Sequence, residues 1–175
     1  KGVQHSEMFP LINTEKENPL LLFQIWLNLP AASKNVEPYF GMMWNEKIPV
    51  VSTQDNEGKR IQIKLIAGSY KESKALAPAP DSWAANPENG INIWLISLEP
   101  EATFTLPKGA TGANRSLYFY EGEMLYAEEF EIPPMHQIKA DPTEELVLKN
   151  GNQKAQLLLL EGKPINEPVV KHGPF

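Results

Sequence analysis

The stretch Ile91-Asn92-Ile93-Trp94-Leu95-Ile96-Ser97-Leu98 carries apolar residues at both its odd and its even positions. Side chains on a β-strand alternate between the two faces of a sheet, so this pattern predicts a strand that is covered on both faces. Such strands lie at the centre of a sheet in a β-sandwich or barrel. The stretch therefore predicts the middle of a two-layered β structure.

The segments around it follow the same period of two, and none shows a long helical stripe. Residues 60–67 alternate between apolar and polar side chains, and residues 21–29 carry an apolar side chain at every odd position. The second pattern predicts a strand with one fully buried side. Shorter strands are predicted at residues 102–106, 117–120, 123–126, 130–132, 145–148 and 156–160. Many short strands at regular spacing indicate an all-β sandwich or barrel.

The segments between the strands contain turn residues and two longer irregular stretches. Asn150-Gly151 stands between two apolar runs and predicts a hairpin, because both residues tolerate the positive φ of tight turns. Residues 31–49 are expected to be irregular, with a short helical turn near Val36-Glu37. The Pro- and Ala-rich residues 69–90 form a long excursion that predicts a covering loop or a crossing between domains.

Composition limits the function classes. The chain has 175 residues, a formal net charge of −6 and no basic stripe, which argues against direct capture of nucleic acid. It contains no cysteine, so disulfides, thiolate metal sites and thiol catalysis are excluded, and a reducing cytoplasmic compartment is expected. The longest apolar run, residues 19–30, is too short to cross a bilayer, so no membrane association is expected.

The opening segment Gly2-Val3-Gln4-His5-Ser6-Glu7-Met8 contains the most suggestive pair of polar residues. On a strand, His5 and Glu7 project to the same side, because they are two positions apart. An imidazole and a carboxylate together form half of a mixed nitrogen and oxygen site that suits iron, manganese or zinc. The pair taken alone is also compatible with an ordinary polar surface strand.

Three segments resemble the pirin family of bicupin proteins. The opening segment is similar to that family's Gly-Ile/Val-x-His-Ser/Ala-Glu-Met motif. The segment Leu22-Phe23-Gln24-Ile25-Trp26-Leu27-Asn28-Leu29-Pro30 resembles its Leu-Gln-Leu-Trp-Val-Asn-Leu-Pro strand. Residues 161–175, from Glu161-Gly162-Lys163-Pro164 to Gly173-Pro174-Phe175, resemble its ending block. The matches occur in the family's order along the whole chain.

This resemblance implies an all-β cupin fold, a jelly-roll barrel, in a bicupin whose first barrel is incomplete. Residues 1–49 are expected to be the C-terminal part of the first, metal-binding cupin, and residues 50–175 the second cupin. The family's His-Pro-His-Arg-Gly-Phe-Glu strand has no counterpart here, and the chain does not begin with Met, so a fragment is expected. With uncovered apolar faces and unpaired sheet edges, it should be prone to associate.

The resemblance also implies site residues. His5 and Glu7 are expected to be ligands of Fe²⁺ in the intact protein, with Glu7 acting as ligand or base. Residues 107–122 lack a histidine pair, so the second cupin is expected to be metal-free. Its barrel is expected to be packed or to hold a small ligand, with Tyr118, Tyr120 and Tyr126 as candidate lining residues. His136 and His172 are expected to be structural.

Three functions stay open at this point. The resemblance implies oxidative ring opening of a small aromatic, flavonol-like substrate of the quercetin type by a metal-dependent dioxygenase. It equally implies a redox-sensitive module that binds a protein partner, such as a transcription regulator, without turnover. A metal-free structural or ligand-binding cupin is the third reading.

Overall fold

The protein is described by a computed structural model that covers residues 6–170. Its regular structure is almost entirely β. The strands are β1 (Val50–Gln54), β2 (Arg60–Ala67), β3 (Ser69–Tyr70), β4 (Ser73–Lys74), β5 (Asn92–Leu98), β6 (Thr103–Leu106), β7 (Asn114–Glu121), β8 (Leu125–Ala127), β9 (Phe130–Ile132), β10 (His136–Ala140), β11 (Leu146–Asn150) and β12 (Ala155–Gly162). Short 3-10 helices span Ala31–Ser33, Asn45–Lys47, Trp83–Ala85 and Pro87–Asn89.

The larger sheet has six strands in the order β1-β2-β5-β12-β7-β10, and all of its neighbouring strands are antiparallel. The strand predicted from residues 91–98 is β5. It pairs with β2 on one side and β12 on the other, so its predicted position inside the sheet is confirmed. Its inward side chains Trp94, Ile96 and Leu98 are buried, whereas the outward side chains of Ile93, Leu95 and Ser97 are half-buried, so the predicted cover is complete on one face only.

A second sheet, β6-β11-β8-β9, packs against the larger one, and the hydrophobic core lies between them. The hairpin β3-β4 adds Tyr70 to this core, where its ring meets Trp94 edge-on at a centroid distance of 5.4 Å. The fully buried side chains of the core include Ile63, Leu65, Ile96, Leu98, Leu106, Leu117, Phe119, Leu125, Leu148, Leu157 and Leu159. This all-β architecture of two packed sheets confirms the predicted fold class.

Residues 21–29 are not a strand, so that prediction is wrong for the described structure. The predicted inner side chains are not buried: their exposure ranges from half-buried at Phe23 and Leu29 to 63% at Leu21. A strand forms only where a neighbouring backbone offers hydrogen bonds, and the described part of the chain provides no such partner for this segment. Its alternating pattern therefore has no sheet to join here.

The prediction at Asn150-Gly151 is correct for the turn and wrong for the pairing. The flanking strands β11 and β12 belong to different sheets and do not pair with each other. The Asn150 side chain is buried and donates through Nδ2 to the carbonyls of Leu98, Glu99 and Gln153. These bonds hold the chain where it crosses from one sheet to the other.

The sequence patterns missed the short hairpin β3-β4, which lies within the predicted irregular residues 69–90, and two longer strands, β1 and β10. Both occupy the outer positions of the six-stranded sheet, where a strand has one neighbour and buries little surface. Their side chains are exposed or half-buried throughout, so no buried face marks them in the sequence. The helical turn expected near Val36-Glu37 is displaced, since the 3-10 helices lie at Ala31–Ser33 and Asn45–Lys47. Within residues 6–170, no helix has the length and apolar character needed to cross a bilayer.

Candidate functional site

The predicted metal ligands lie at the N-terminal end of the chain. His5 falls outside the described residues, and Glu7 lies in an exposed segment without regular structure. Their shared orientation on a strand therefore stays a prediction. Across residues 6–170, no group of three or more His, Cys, Asp or Glu residues is placed to hold a metal ion.

The other two histidines were expected to be structural. His136 is exposed on β10, with Nδ1 3.0 Å from the carbonyl oxygen of Pro134, as expected for a hydrogen-bonded surface histidine. His172 lies outside the described residues, so its expected packing role stays a prediction.

A row of polar side chains ends the core of the six-stranded sheet. Asn92, Arg115 and Glu161 continue the inward-facing positions of β5, β7 and β12, one step beyond Trp94, Leu117 and Leu159. The strand register places Glu161 directly opposite both Asn92 and Arg115. We call these three residues the polar layer.

The polar layer is closely bonded. Arg115 Nε donates to Glu161 Oε2 at 2.5 Å, and the two side chains are 1% and 2% exposed. Asn92 Nδ2 donates to the other carboxylate oxygen at 2.9 Å, and the backbone N–H of Ser69 donates to Asn92 Oδ1 at 3.2 Å. Both oxygens of Glu161 therefore have a donor, which offsets part of the cost of burying a charge.

Arg115 also fixes two loops to the sheet. Its Nη1 donates to the carbonyl of Glu144 at 3.1 Å, and its Nη2 to the carbonyl of Pro107 at 2.8 Å. Gly109 packs so closely that a Cβ atom there would lie 2.4 Å from Glu161 Oε1. The guanidinium beside this inward-facing carboxylate would repel a metal cation.

The loops and the polar layer line an open cleft of about 610 Å³ at this end of the two packed sheets, which we call the mouth cavity. The three candidate tyrosines do not line it. Tyr118 borders a cleft on the outer face of the six-stranded sheet, Tyr120 contacts the ring of Phe23, and Tyr126 borders a separate surface cleft.

Sequence reasoning missed the pair that does line the mouth cavity, Arg115 and Glu161, because 46 positions separate them. The available signal was a charged residue at an inward position of each strand.

Residues 23–27 cover part of the outer face of the same sheet. The Phe23 ring meets the Tyr120 ring at 4.8 Å, and residues 25–27 border a cleft with Ile93, Tyr118 and Leu160. The other side of the N-terminal segment faces solvent with large apolar side chains. We call these the N-terminal apolar surface: Met8, Ile12, Leu22, Trp26, Phe40 and Trp44, which are 55–91% exposed.

Comparisons with known proteins agree with this fold. The model of the pirin C-terminal cupin domain matches residues 93–175. Among solved structures, a quercetin 2,3-dioxygenase from Acinetobacter baumannii aligns with 85% of this chain and 47% of its own, at a TM-score of 0.67 and 23% identity. GK1651 from Geobacillus kaustophilus aligns with 81% of this chain and 53% of its own, at a TM-score of 0.58 and 28% identity.

Curated relatives match over the whole length. Human pirin is 26% identical over 100% of this chain, and a pirin-like protein from Solanum lycopersicum is 28% identical over 100%. A Pseudomonas aeruginosa protein with the name "Putative quercetin 2,3-dioxygenase PA2418" is 28% identical over 99%. The chain spans 55–56% of the length of these three relatives. Residues 93–175 thus match a pirin C-terminal cupin domain, and the whole chain is similar to pirin and pirin-like proteins.

Proposed function

We propose that this chain is part of a pirin-type iron cupin that opens the ring of a flavonol-like substrate with O₂. The observation that carries the proposal is the ordered similarity to relatives, one of which bears the quercetin 2,3-dioxygenase name, at 28% identity over 99% of the chain. In this proposal residues 1–49 belong to the metal-binding cupin, and residues 50–175 form a second cupin without metal. The confinement of strands β1 to β12 to residues 50–162 supports that division.

The donor chemistry of the opening segment suits iron in part. His5 and Glu7 would supply one imidazole nitrogen and one carboxylate oxygen, which are donors that non-haem iron accepts. Residues 6–170 do not bring three such donors together, and in this proposal the remaining ligands lie outside the described residues. When bound, iron would supply the redox chemistry toward O₂. Glu7 would hold the metal or accept a proton from the substrate hydroxyl.

The test begins with the protein isolated from its natural source. Its intact mass under denaturing conditions and its metal content are measured together, and oxygen uptake is then followed with quercetin. We expect about one iron per molecule and quercetin-dependent oxygen uptake. We also expect both to fall sharply in Glu7→Ala, while Glu57→Ala, which changes another exposed glutamate, keeps them. An iron-loaded protein that consumes no oxygen with quercetin would refute the enzyme proposal.

A protein-binding role is the second candidate, and the N-terminal apolar surface is the observation that favours it. Monomeric proteins seldom leave large apolar side chains grouped in solvent, and Trp26 is 77% exposed here. The partner would be a protein, and we propose that the complex forms in the cytoplasm. Binding that survives in Glu7→Ala but is lost in Trp26→Ser would favour this role over the enzymatic one.

A further inference from the structure

We propose that the mouth cavity is a second binding site, specific for a small carboxylate with a flat apolar body. Its lining residues all fall within residues 69–161, so they do not include the proposed metal ligands. At about 610 Å³ it is larger than the surface clefts of about 360 Å³ beside Tyr126 and beside β1. This volume lies within the range of ligand sites in proteins.

The floor of the cavity is polar at a depth where the sheet pattern calls for apolar side chains. Arg115, Asn92 and Glu161 bond one another, so the floor is balanced in charge and fixed in shape. A buried ion pair contributes little to stability when apolar packing could replace it, and its retention fits a role in shaping a site.

The rim of the cavity carries two lysines. Lys71 and Lys108 both border it, whereas Glu145 is the acidic residue that borders it outside the polar layer. Lys71 Nζ lies 5.5 Å from the Tyr70 ring centroid, and Lys108 Nζ lies 3.2 Å from Glu144 Oε2 in a solvent-exposed pair. An exposed ion pair such as Lys108–Glu144 exchanges readily with a ligand, so the two ammonium groups at this opening can bind a negatively charged ligand.

The wall between rim and floor is aromatic. Trp94 and Tyr70 stand edge to face there, and Pro107 and Ala110 complete the apolar part of the lining. The indole N–H of Trp94 is buried and no acceptor in the described chain reaches it, so the indole ring, and not its N–H, borders the cavity. Burial raises the pKa of Tyr70, so its phenol stays protonated and adds no negative charge.

These features define the ligand. Its carboxylate would meet the rim lysines, and its flat body would pack against the aromatic wall, with Trp94 at its edge. Arg115 and Glu161 would not pair with the ligand directly, because they already satisfy each other. They would hold the loop at Pro107 in place as the opposite wall.

The test uses the 175-residue chain with benzoate as the probe. Benzoate binding is measured by calorimetry and by shifts of the indole N–H signals in nitrogen-resolved NMR. Benzoate is expected to bind with a Kd of about 0.1–1 mM, the range a ligand of this size reaches. Benzamide, which lacks the charge, and acetate, which lacks the flat body, are each expected to bind at least about tenfold more weakly. The shifting indole signal should be that of Trp94, identified by its loss in Trp94→Phe.

Variants at the rim localise the charge requirement. The exposed double substitution Lys71→Gln/Lys108→Gln should raise the Kd of benzoate about tenfold, while Lys139→Gln, on the exposed strand β10, should leave it unchanged. The proposal is overturned by an absence of saturable binding, by equal affinity for benzamide or for acetate, or by an unchanged Kd in the double variant. A shift of another indole signal without that of Trp94 would also overturn it.

Discussion

Replacing Arg115 with methionine would remove the cationic half of the buried ion pair. Met has a similar length and no charge, so the change removes three hydrogen bonds with little loss of packing volume. The Glu161 carboxylate, 2% exposed, would keep only the bond from Asn92. The carbonyls of Pro107 and Glu144 would each lose their donor.

The expected loss of unfolding free energy is about 3–5 kcal/mol, the range found when one partner of a buried pair is removed. Most of it comes from leaving Glu161 charged and buried without its guanidinium, and each abandoned carbonyl adds to the loss. Removing both charges should be milder. The double variant Arg115→Met/Glu161→Leu is therefore expected to be more stable than Arg115→Met alone, because no uncompensated charge remains.

The assay is urea unfolding followed by circular dichroism, with the slope of the transition used to check that the unfolded states are comparable. Arg60→Met is the matched control, because Arg60 pairs with Glu99 at 3.1 Å on the surface, with the arginine side chain 57% exposed. It should lose no more than about 1 kcal/mol. A loss of similar size in both variants, or a double variant no better than Arg115→Met, would show that the polar layer is not the buried, coupled pair inferred here.

Three further predictions concern other parts of the chain. Brief trypsin treatment should cut first within residues 6–49, because the only regular structure described there is two 3-10 helices. Mass spectrometry should then detect a fragment that begins near Val50. Equally fast cleavage between β2 and β12 would contradict this prediction. Backbone N–H groups, with that of Thr103 contributing most, hold the pKa of Asp55 below its ordinary value of 3.8. The Asp55 carboxylate therefore stabilises the fold above pH 3.8, and this stabilisation is lost as the pH falls through the lowered pKa. The stability gap between the wild type and Asp55→Asn should therefore be widest above pH 5 and shrink below pH 3.8, and a gap that does not change with pH would refute this. The N-terminal apolar surface should drive association, so the mass from light scattering should rise with concentration and fall in Trp26→Ser, and a monomer at every concentration would contradict it.

The two proposed sites can be tested separately. Loss of oxygen uptake in Glu7→Ala with normal benzoate binding would show that the sites act independently. Loss of benzoate binding in the lysine double variant with normal oxygen uptake would show the same from the other side. The two proposals can therefore fail separately.

Local pattern was enough for the central strands. The continuous apolar run at residues 91–98 and the alternation at residues 60–67 identified β5 and β2, because burial of a strand's inner face dictates which side chains that face carries. The family motifs at both ends of the chain likewise stand in the sequence itself. They carried the expectation of a cupin fold, which the two packed sheets confirm.

Tertiary structure decided what depends on distant partners. The alternation at residues 21–29 resembles a strand, yet no neighbouring backbone in the described chain pairs with it. Asn150-Gly151 marks a turn, but the following strand, β12, pairs with β5 and β7 and not with β11. Arg115 and Glu161 meet only because β7 and β12 are neighbours in register, and a charge at one position says nothing about a partner 46 residues away. Sequence therefore determined which segments can be strands, and long-range pairing alone determined where the polar layer and the mouth cavity lie.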